Sequence, residues 1–319
     1  MVESNKIYTL CVDSEFSGIR LDQFLAKRLP KCSRTCIQNM LEQGQVKNSE
    51  GALSKKHQSM KVSFGTVFRV EIFPPKPCEL KPISMLLDIL YEDEDIVAIN
   101  KPAGQVVHPS IGHQEDSLVH GLLAHCKNQL SELAGHQRPG IVHRLDQFTS
   151  GALLVAKNDL SHRHLSEQFA QRRIRKTYWA IVYACPTPLA GRVEVHMGRH
   201  PRYPLRMSVS LTQGKVSITR YRTKARSKCQ KYSLVECFPE TGRTHQIRVH
   251  LAHLGNGIVG DHIYGRPHKD LSRQGLHAYQ LSFTHPTTNE NVSITSKIPE
   301  DMMIFLQLYF DESTIRPLF

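Results

Sequence analysis

Four prolines fall between positions 74 and 82: Pro74, Pro75, Pro77 and Pro82. Proline donates no backbone hydrogen bond and fixes φ, so neither a helix interior nor a central strand can run through such a stretch. It reads as a stiff linker, and the chain is patterned differently on its two sides. Before it, Leu21, Phe24, Leu25 and Leu29 recur at i, i+3, i+4 and i+8, one face of a helix. Pro30 ends that helix, Ser33 suits the N-cap of a second one carrying Ile37, Met40 and Leu41, and Gly44 fits its stop. Short β-like stretches follow and close on alternation over residues 67–72. After the linker, from about Leu87, the pattern is α+β. Residues 96–99 and 152–156 read as buried strands. Residues 177–183 are strongly β-prone, with Tyr178, Ala180 and Val182 on one face. Residues 234–237 form a strand that breaks at Pro239 and Gly242. A helix is predicted to start at Thr244, with Ile247, Leu251 and Leu254 on one side. Met302, Met303, Phe305 and Leu306 predict a last helix that packs in the core.

Charge narrows the partner. Lys and Arg number 41 against 29 Asp and Glu, a net +12, with a pI near 9.4. That balance points to a polyanion, nucleic acid first. It is concentrated: from Arg199 to Lys231 there are ten basic residues and no acidic one. The run comprises Arg199, Arg202, Arg206, Lys215, Arg220, Arg222, Lys224, Arg226, Lys228 and Lys231. It reads as a phosphate-contacting surface. A shorter cluster, Arg172, Arg173, Arg175 and Lys176, lies upstream, and Lys27, Arg28, Lys31 and Arg34 surround the first helix pair.

Other classes drop out. No stretch approaches the ~18 apolar residues of a membrane span. The first ten residues are polar and do not read as a signal peptide. None of the eight cysteines forms C-x-x-C, which argues against a disulfide scaffold or zinc ribbon and for a reducing, cytoplasmic setting. No G-x-S-x-G elbow or P-loop is present. Residues 255–260 match G-x-G-x-x-G, but a predicted helix precedes them where a dinucleotide site needs a strand. Of His245, His250 and His253 only the last two share a helix face, with no Cys or carboxylate at ligand spacing. Neither a nucleotide cofactor nor a metal is expected.

Three segments set reactive groups on turns beside apolar strands. In the first, Asp146 lies in a polar loop between residues 140–145 and 152–156. In the second, Tyr178 follows a basic run. In the third, Gly242 allows a sharp turn and Arg243 stands at the mouth of the following helix. From pattern alone these are one acid, one tyrosine and one arginine on a basic surface, and the plainer reading of Asp146 is a structural salt bridge.

The same residues carry a resemblance. His143-Arg144-Leu145-Asp146, with Thr149-Ser150-Gly151, resembles the catalytic signature of the RluA-type ribosomal large-subunit pseudouridine synthases. Residues 241–251, Thr-Gly-Arg-Thr-His-Gln-Ile-Arg-Val-His-Leu, resemble that family's third motif. Asn100-Lys101-Pro102-Ala103-Gly104, Val259-Gly260-Asp261 with Tyr264-Gly265, and Leu276-His277-Ala278 match in order, so the likeness covers about residues 87–302. Gly198-Arg199-His200-Pro201 and Gly214-Lys215 resemble the RluD-like branch. Gln147-Phe148, however, stands where Lys-Asp is usual. The N-terminal segment, with Arg20-Leu21-Asp22 and Ser33-Arg34, resembles an S4 RNA-binding domain, although Lys47-Asn48-Ser49 replaces Val-Asn-Gly.

The resemblance implies an α+β catalytic domain with a large mixed, mainly antiparallel sheet and a central cleft, plus a small S4-like domain. The expected boundaries are a tail at 1–16, the S4-like domain at 17–75, the linker at 76–86 and the catalytic domain at 87–319. The implied reaction turns uridine into pseudouridine in large-subunit ribosomal RNA, in the helix 69 loop or at other sites, with no cofactor and no metal. A monomer is expected. Asp146 is implied as the essential carboxylate, attacking C1′ or acting as a base toward a glycal. Arg243 is implied as the arginine that pairs with it and Tyr178 as the stacking residue that takes the C5 proton. Arg144, Lys27, Arg28, Ser33, Arg34, Arg199, Arg202, Arg206, Gln246 and His250 are the expected RNA contacts. A non-catalytic RNA-binding factor and an S4-linked methyltransferase are the rival readings.

Overall fold

The computed structural model describes residues 6–29, 32, 34–72, 80–109, 113, 115–127, 129–203, 206–210 and 214–316, side chains 34–36 and 39 excepted. The chain divides into two compact units, Met1–Cys78 and Glu79–Phe319.

The first unit is a four-stranded sheet carrying two helices. Strand β1 (Lys6–Cys11) pairs antiparallel with β4 (Val67–Ile72), which also pairs β2 (Val46–Asn48), and β2 pairs β3 (Gly51–Ala52). The expected tail at 1–16 is therefore corrected: residues 6–11 are an edge strand in register Lys6↔Ile72. Helix α1 (Leu21–Arg28) buries Leu21, Phe24 and Leu25, as their spacing requires. Helix α2 (Arg34–Glu42) stops at Gly44, whose φ of +66° suits a glycine helix stop, and the Gln45 amide reaches back to the Met40 carbonyl at 2.9 Å. Both helices share a core with Val46, Phe68 and Val70. Ser33, Pro30, Lys31 and the prolines at 74, 75 and 77 lie outside the described residues. The end of the expected linker behaves as part of the second unit: Leu80 packs on its core, and the Ile83 amide bonds the His120 carbonyl at 3.1 Å.

The second unit is built on a ten-stranded mixed sheet. Its strands are β5 (Ile89–Glu92), β6 (Ile96–Lys101), β7 (Ser150–Ala156), β8 (Arg175–Tyr183), β9 (Ala190–Arg199), β10 (Met207–Ser210), β11 (Lys215–Arg226), β12 (Tyr232–Pro239), β13 (Leu276–Thr284) and β14 (Asn291–Thr295). They run in the order β10-β9-β11-β12-β8-β13-β7-β6-β5, with β14 on β13. The pairings are antiparallel except β7 with β13. Helices α3 (Leu118–His125), α4 (Asp159–Ala170), α5 (Gln246–His253), α6 (Glu300–Tyr309) and the short α7 (Glu312–Ile315) accompany it. The sheet is covered on both faces. Tyr178, Ala180 and Val182 of β8 enter one apolar cluster, while Trp179 and Ile181 enter another with Met302, Phe305 and Leu306 of α6. Period-two alternation thus sorts one strand between two cores. At the parallel junction the β7 backbone meets β13 so closely that a Cβ on Gly151 (φ +114°) would stand 2.3 Å from the Ala278 carbonyl oxygen. Glycine is required there to bring the loop before β7 against the middle of the sheet.

Candidate active site

That loop carries Asp146. Its backbone is pinned by two buried cations. The Lys101 ammonium, at the end of β6, donates to the carbonyls of Pro102 (2.7 Å), Gln105 (2.8 Å) and Gln147 (2.9 Å). The Arg273 guanidinium donates to the Phe148 carbonyl at 3.1 Å while pairing with Asp301. Burial foremost, then the nearby Arg273 charge, pulls the Lys101 pKa down to about 7. The turn closes through the Thr149 amide on the Asp146 carbonyl, 3.0 Å. The motif at 100–104 thus acts on the residues that flank Asp146.

The Asp146 carboxylate faces a cavity of about 470 Å³ whose wall includes Arg144, Lys176, Tyr178, Arg243, His245 and Arg248. Its ion pair falls on Arg248, with Nη1 to Oδ2 at 3.1 Å. The expectation for Arg243 is corrected: its Nε instead reaches the Val216 carbonyl at 3.4 Å, and the residue lines the cavity without pairing with Asp146. The reason is local. The sharp turn before α5 is made not at Gly242 but at His245, which holds a left-handed conformation (φ 57°, ψ 19°), and α5 begins one residue later. Arg248, in the first turn of α5, is then buried. Its other guanidinium edge grips Asp261 in a bidentate pair, Nε–Oδ2 2.7 Å and Nη2–Oδ1 2.9 Å. Asp261 also accepts the Ile263 and Tyr264 amides. Burial works against both charges, but the pairing wins: Arg248 is pushed up and Asp261 held down.

A second chain reaches Asp146 through His245. The Met207 amide donates to the Tyr264 hydroxyl oxygen at 2.7 Å, and that hydroxyl lies 2.9 Å from His245 Nδ1. An amide can only donate, so the Tyr264 O–H proton is available for Nδ1, and the imidazole proton then sits on Nε2. Nε2 is 4.0 Å from the Asp146 carboxylate. Burial foremost holds the His245 pKa below its ordinary value despite Asp146 and Asp261, with Arg248 and Arg144 adding to the lowering.

Tyr178 lies on β8, almost wholly buried, and burial followed by the Asp146 charge raises its phenol pKa. Lys176, two residues earlier, also lines the cavity; burial pulls its pKa down to about 8, and its Nζ donates to the Thr241 carbonyl at 3.3 Å.

Two expected RNA contacts are corrected. Gln246 and His250 are buried, 4% and 1% exposed. Gln246 accepts from the Thr241 hydroxyl and the Arg243 amide and donates to the Ile218 carbonyl, tying α5 to β11. His250 lies in the interior, where burial lowers its pKa to about 4. Arg144, Arg199, Arg202 and Arg206 are exposed, Arg144 at the cavity and the others on the β9–β10 hairpin. In the first unit, Lys27 and Arg28 are exposed and both lie 5.6 Å from the Phe16 ring centre, with Arg28 also 3.3 Å from Asp13. Arg34 opens α2, its side chain outside the described residues.

Among the described residues, the group with metal-ligand reach is Asp93, Asp95 and His285, within 4.8 Å of one another. It lies outside the cavity wall, and its atoms are taken: Asp93 accepts from Tyr91 and His285, Asp95 from Asn158, Ser161 and Thr287. The glycine-rich stretch at 255–260 follows helix α5, and Ile258 and Val259 form bridges to Val182 and Arg266. That is not the strand-then-helix context of a dinucleotide loop.

Residues 95–253 match the family described as RNA pseudouridylate synthase. A protein named ribosomal large subunit pseudouridine synthase D from Zymomonas mobilis is 40% identical over 304 residues, covering 92% of this chain and 95% of that one. One of the same name from Neisseria meningitidis is 39% identical and covers 94% of this chain and 81% of its own. Among solved structures, human RNA pseudouridylate synthase domain containing 1 aligns with a TM-score of 0.54 at 28% identity, over 70% of this chain and 86% of that one. With the carboxylate, tyrosine and arginine gathered at one cavity, these likenesses show that the chain belongs to the RNA pseudouridylate synthase family, as an RNA pseudouridine synthase of its RluA-type, RluD-like branch.

Proposed function

We propose that the substrate is a uridine of large-subunit ribosomal RNA, in the helix 69 loop, and that Asp146 is the catalytic carboxylate. The observation that carries this reading is the Asp146 carboxylate, ion-paired to Arg248 on the wall of a cavity of about 470 Å³ that also takes in Tyr178. Such a volume lies in the ordinary range for a pocket holding one small ligand. A uridine swung out of a loop enters it at a smaller unstacking cost than one from a duplex. The names of the Zymomonas and Neisseria relatives support the ribosomal large subunit.

In the reaction the C1′–N1 bond breaks, the uracil turns, a C1′–C5 bond forms, the C5 proton leaves and N1 ends protonated. Asp146 either attacks C1′ or takes a ribose proton on the way to a glycal; both need the carboxylate ionised, and Arg248 supplies the opposing charge. Tyr178 presents its ring to the base. Its raised pKa keeps the hydroxyl protonated in the resting site, so its part in removing the C5 proton requires an acceptor for its own. Lys176 lines the same cavity and can accept that proton only as the neutral amine, above about pH 8. Arg144 is placed to hold phosphate or fill the space that the base leaves. The first unit, with Lys27, Arg28 and Arg34, serves as an S4-like RNA-binding domain.

The test is tritium release from large-subunit RNA labelled at uridine C5. The wild type should release tritium, and Asp146→Asn should bind the RNA within a few-fold yet lose turnover by more than about 1,000-fold. Substantial turnover by Asp146→Asn sinks the catalytic assignment. Mapping of the modified positions then decides the helix 69 reading: pseudouridine elsewhere in the RNA refutes it.

A further inference from the structure

The β9–β10 hairpin holds two arginines of the basic run, Arg202 and Arg206, at its exposed tip. Further along, Arg220 pairs with Glu240 at 3.0 Å, Arg222 and Lys224 pair with Glu236, and Lys228 lies 4.0 Å from Asp311. Among the described residues, by contrast, no carboxylate is within ion-pair distance of Arg202 or Arg206. Between these two arginines stands Tyr203, 55% exposed.

The turn that presents Tyr203 is built. His200 Nδ1 accepts the amides of Arg202 (3.1 Å) and Tyr203 (3.3 Å). The Arg206 amide donates to the Tyr203 carbonyl at 2.8 Å, and the His200 amide donates to the Arg206 carbonyl at 2.9 Å. The Arg206 guanidinium lies 5.1 Å from the Tyr203 ring centre, and the His200 ring lies at 5.0 Å, tilted by 47°. A large aromatic ring is thus held in a fixed pose, with much of it in solvent and cations on either side in sequence. The next residue, Met207, donates its amide to Tyr264, which leads through His245 to Asp146.

We propose that this tip is a stacking platform for an unpaired base of the RNA substrate near the target uridine: Tyr203 takes the base, and Arg202 and Arg206 hold the flanking phosphates. An exposed ring between cations is the arrangement by which single-stranded nucleic acid is bound, because every base offers a π face and every nucleotide a phosphate. A duplex hides its base faces and uses only the arginines. The platform rests on the family's RNA substrate but not on which ribosomal loop is modified.

Trp179 is the only tryptophan, and it is buried against Tyr279 at 4.3 Å between ring centres. Tyr203→Trp therefore places a second, exposed reporter at the tip. Its fluorescence should be quenched by single-stranded oligouridylate and left unchanged by a blunt-ended RNA duplex with the same number of phosphates. Tyr203→Ala should weaken oligouridylate binding roughly tenfold with the salt dependence unchanged, and Tyr203→Phe should bind as wild type. Arg202→Gln should reduce the salt slope by about 0.7. Tyr203→Ala that binds like the wild type, quenching that the duplex matches, or no oligouridylate binding by the wild type overturns the platform. Tritium release from ribosomal RNA, run in parallel, separates the two readings. Quenching without release leaves the platform standing and sinks the ribosomal substrate; release without quenching does the reverse.

Discussion

The cavity floor and the hairpin tip hold charge in opposite ways. On the floor, Arg248 is shared between Asp146 and Asp261, its side chain 5% exposed, and Asp261 is fully enclosed. Behind the floor, Lys101 is wholly buried and spends its donors on three backbone carbonyls. At the tip, Arg202 and Arg206 are exposed beside an exposed aromatic ring. Buried charges are tolerated only when matched, so the floor is closed and its cations serve geometry. Surface charges lose little by staying in water until a polyanion arrives, so the tip is open and its cations serve association. Changes on the floor should therefore act on turnover and stability, and changes at the tip on affinity and salt dependence.

After Asp146→Asn, the largest effect should come from Arg248→Lys. An ammonium cannot make the bidentate pair with Asp261 and reach Asp146 at once. Turnover in single-turnover tritium release should fall on the order of 100-fold with RNA affinity within a few-fold of wild type. A matched loss in affinity with turnover preserved would break the division between floor and tip.

Lys101→Met should come next, seen in denaturant melts as a loss of roughly 3 kcal/mol, because three carbonyls around the Asp146 loop lose their donor. It should also change the pH profile of stability. Lys101 sheds its proton near pH 7 in the folded chain against an ordinary value of 10.5. Between those limits the unfolded chain binds the extra proton, so this residue makes stability rise with pH across that window. The variant should show a flatter profile from about pH 7 to 10.5; an unchanged slope would mean that Lys101 keeps its proton in the fold.

A smaller effect is expected from Tyr264→Phe, which keeps the ring beside Arg248 but removes the hydroxyl between Met207 and His245. With Nδ1 unpaired, the imidazole no longer has a set tautomer facing Asp146. Turnover should drop roughly tenfold with KM unchanged, a loss of about one hydrogen bond. If KM rises instead, the hydroxyl serves to seat the hairpin and the chain to His245 carries nothing.

Parts of this division were legible in the chain itself. Alternation along residues 177–183 gives β8 and its two faces, and Asp146 stands out between two apolar runs. Arg248 does not stand out beside Arg243: they lie five residues apart in one motif, and the choice between them is made by the left-handed turn at His245, a residue type with no strong signal for that conformation. The same turn puts Gln246 and His250 inside. Strand β1 carries only a short stripe: Tyr8 and Leu10 reach the core while four of its six residues are exposed, too little to mark it in the sequence. Asp261 and Tyr264 were visible as motif residues but had no role until folding brought them to Arg248.

The basic run shows why sequence-local charge misleads. Ten cations without an acid look like one surface, yet strand pairing sets Arg222 opposite Glu236 in the β11–β12 register, and Glu240, just after β12, reaches Arg220. Those partners lie outside the run and arrive only through the sheet. The smallest expected effect follows. Arg222→Gln should leave RNA affinity, its salt slope and turnover unchanged, and cost about 1 kcal/mol in stability, since the buried Glu236 keeps Lys224 at 3.9 Å. Arg202→Gln, equal in formal charge, should lower the slope. Should Arg222→Gln reduce the slope as much, its Glu236 pairing gives way to phosphate in the complex, and the contact surface extends from the tip along β11.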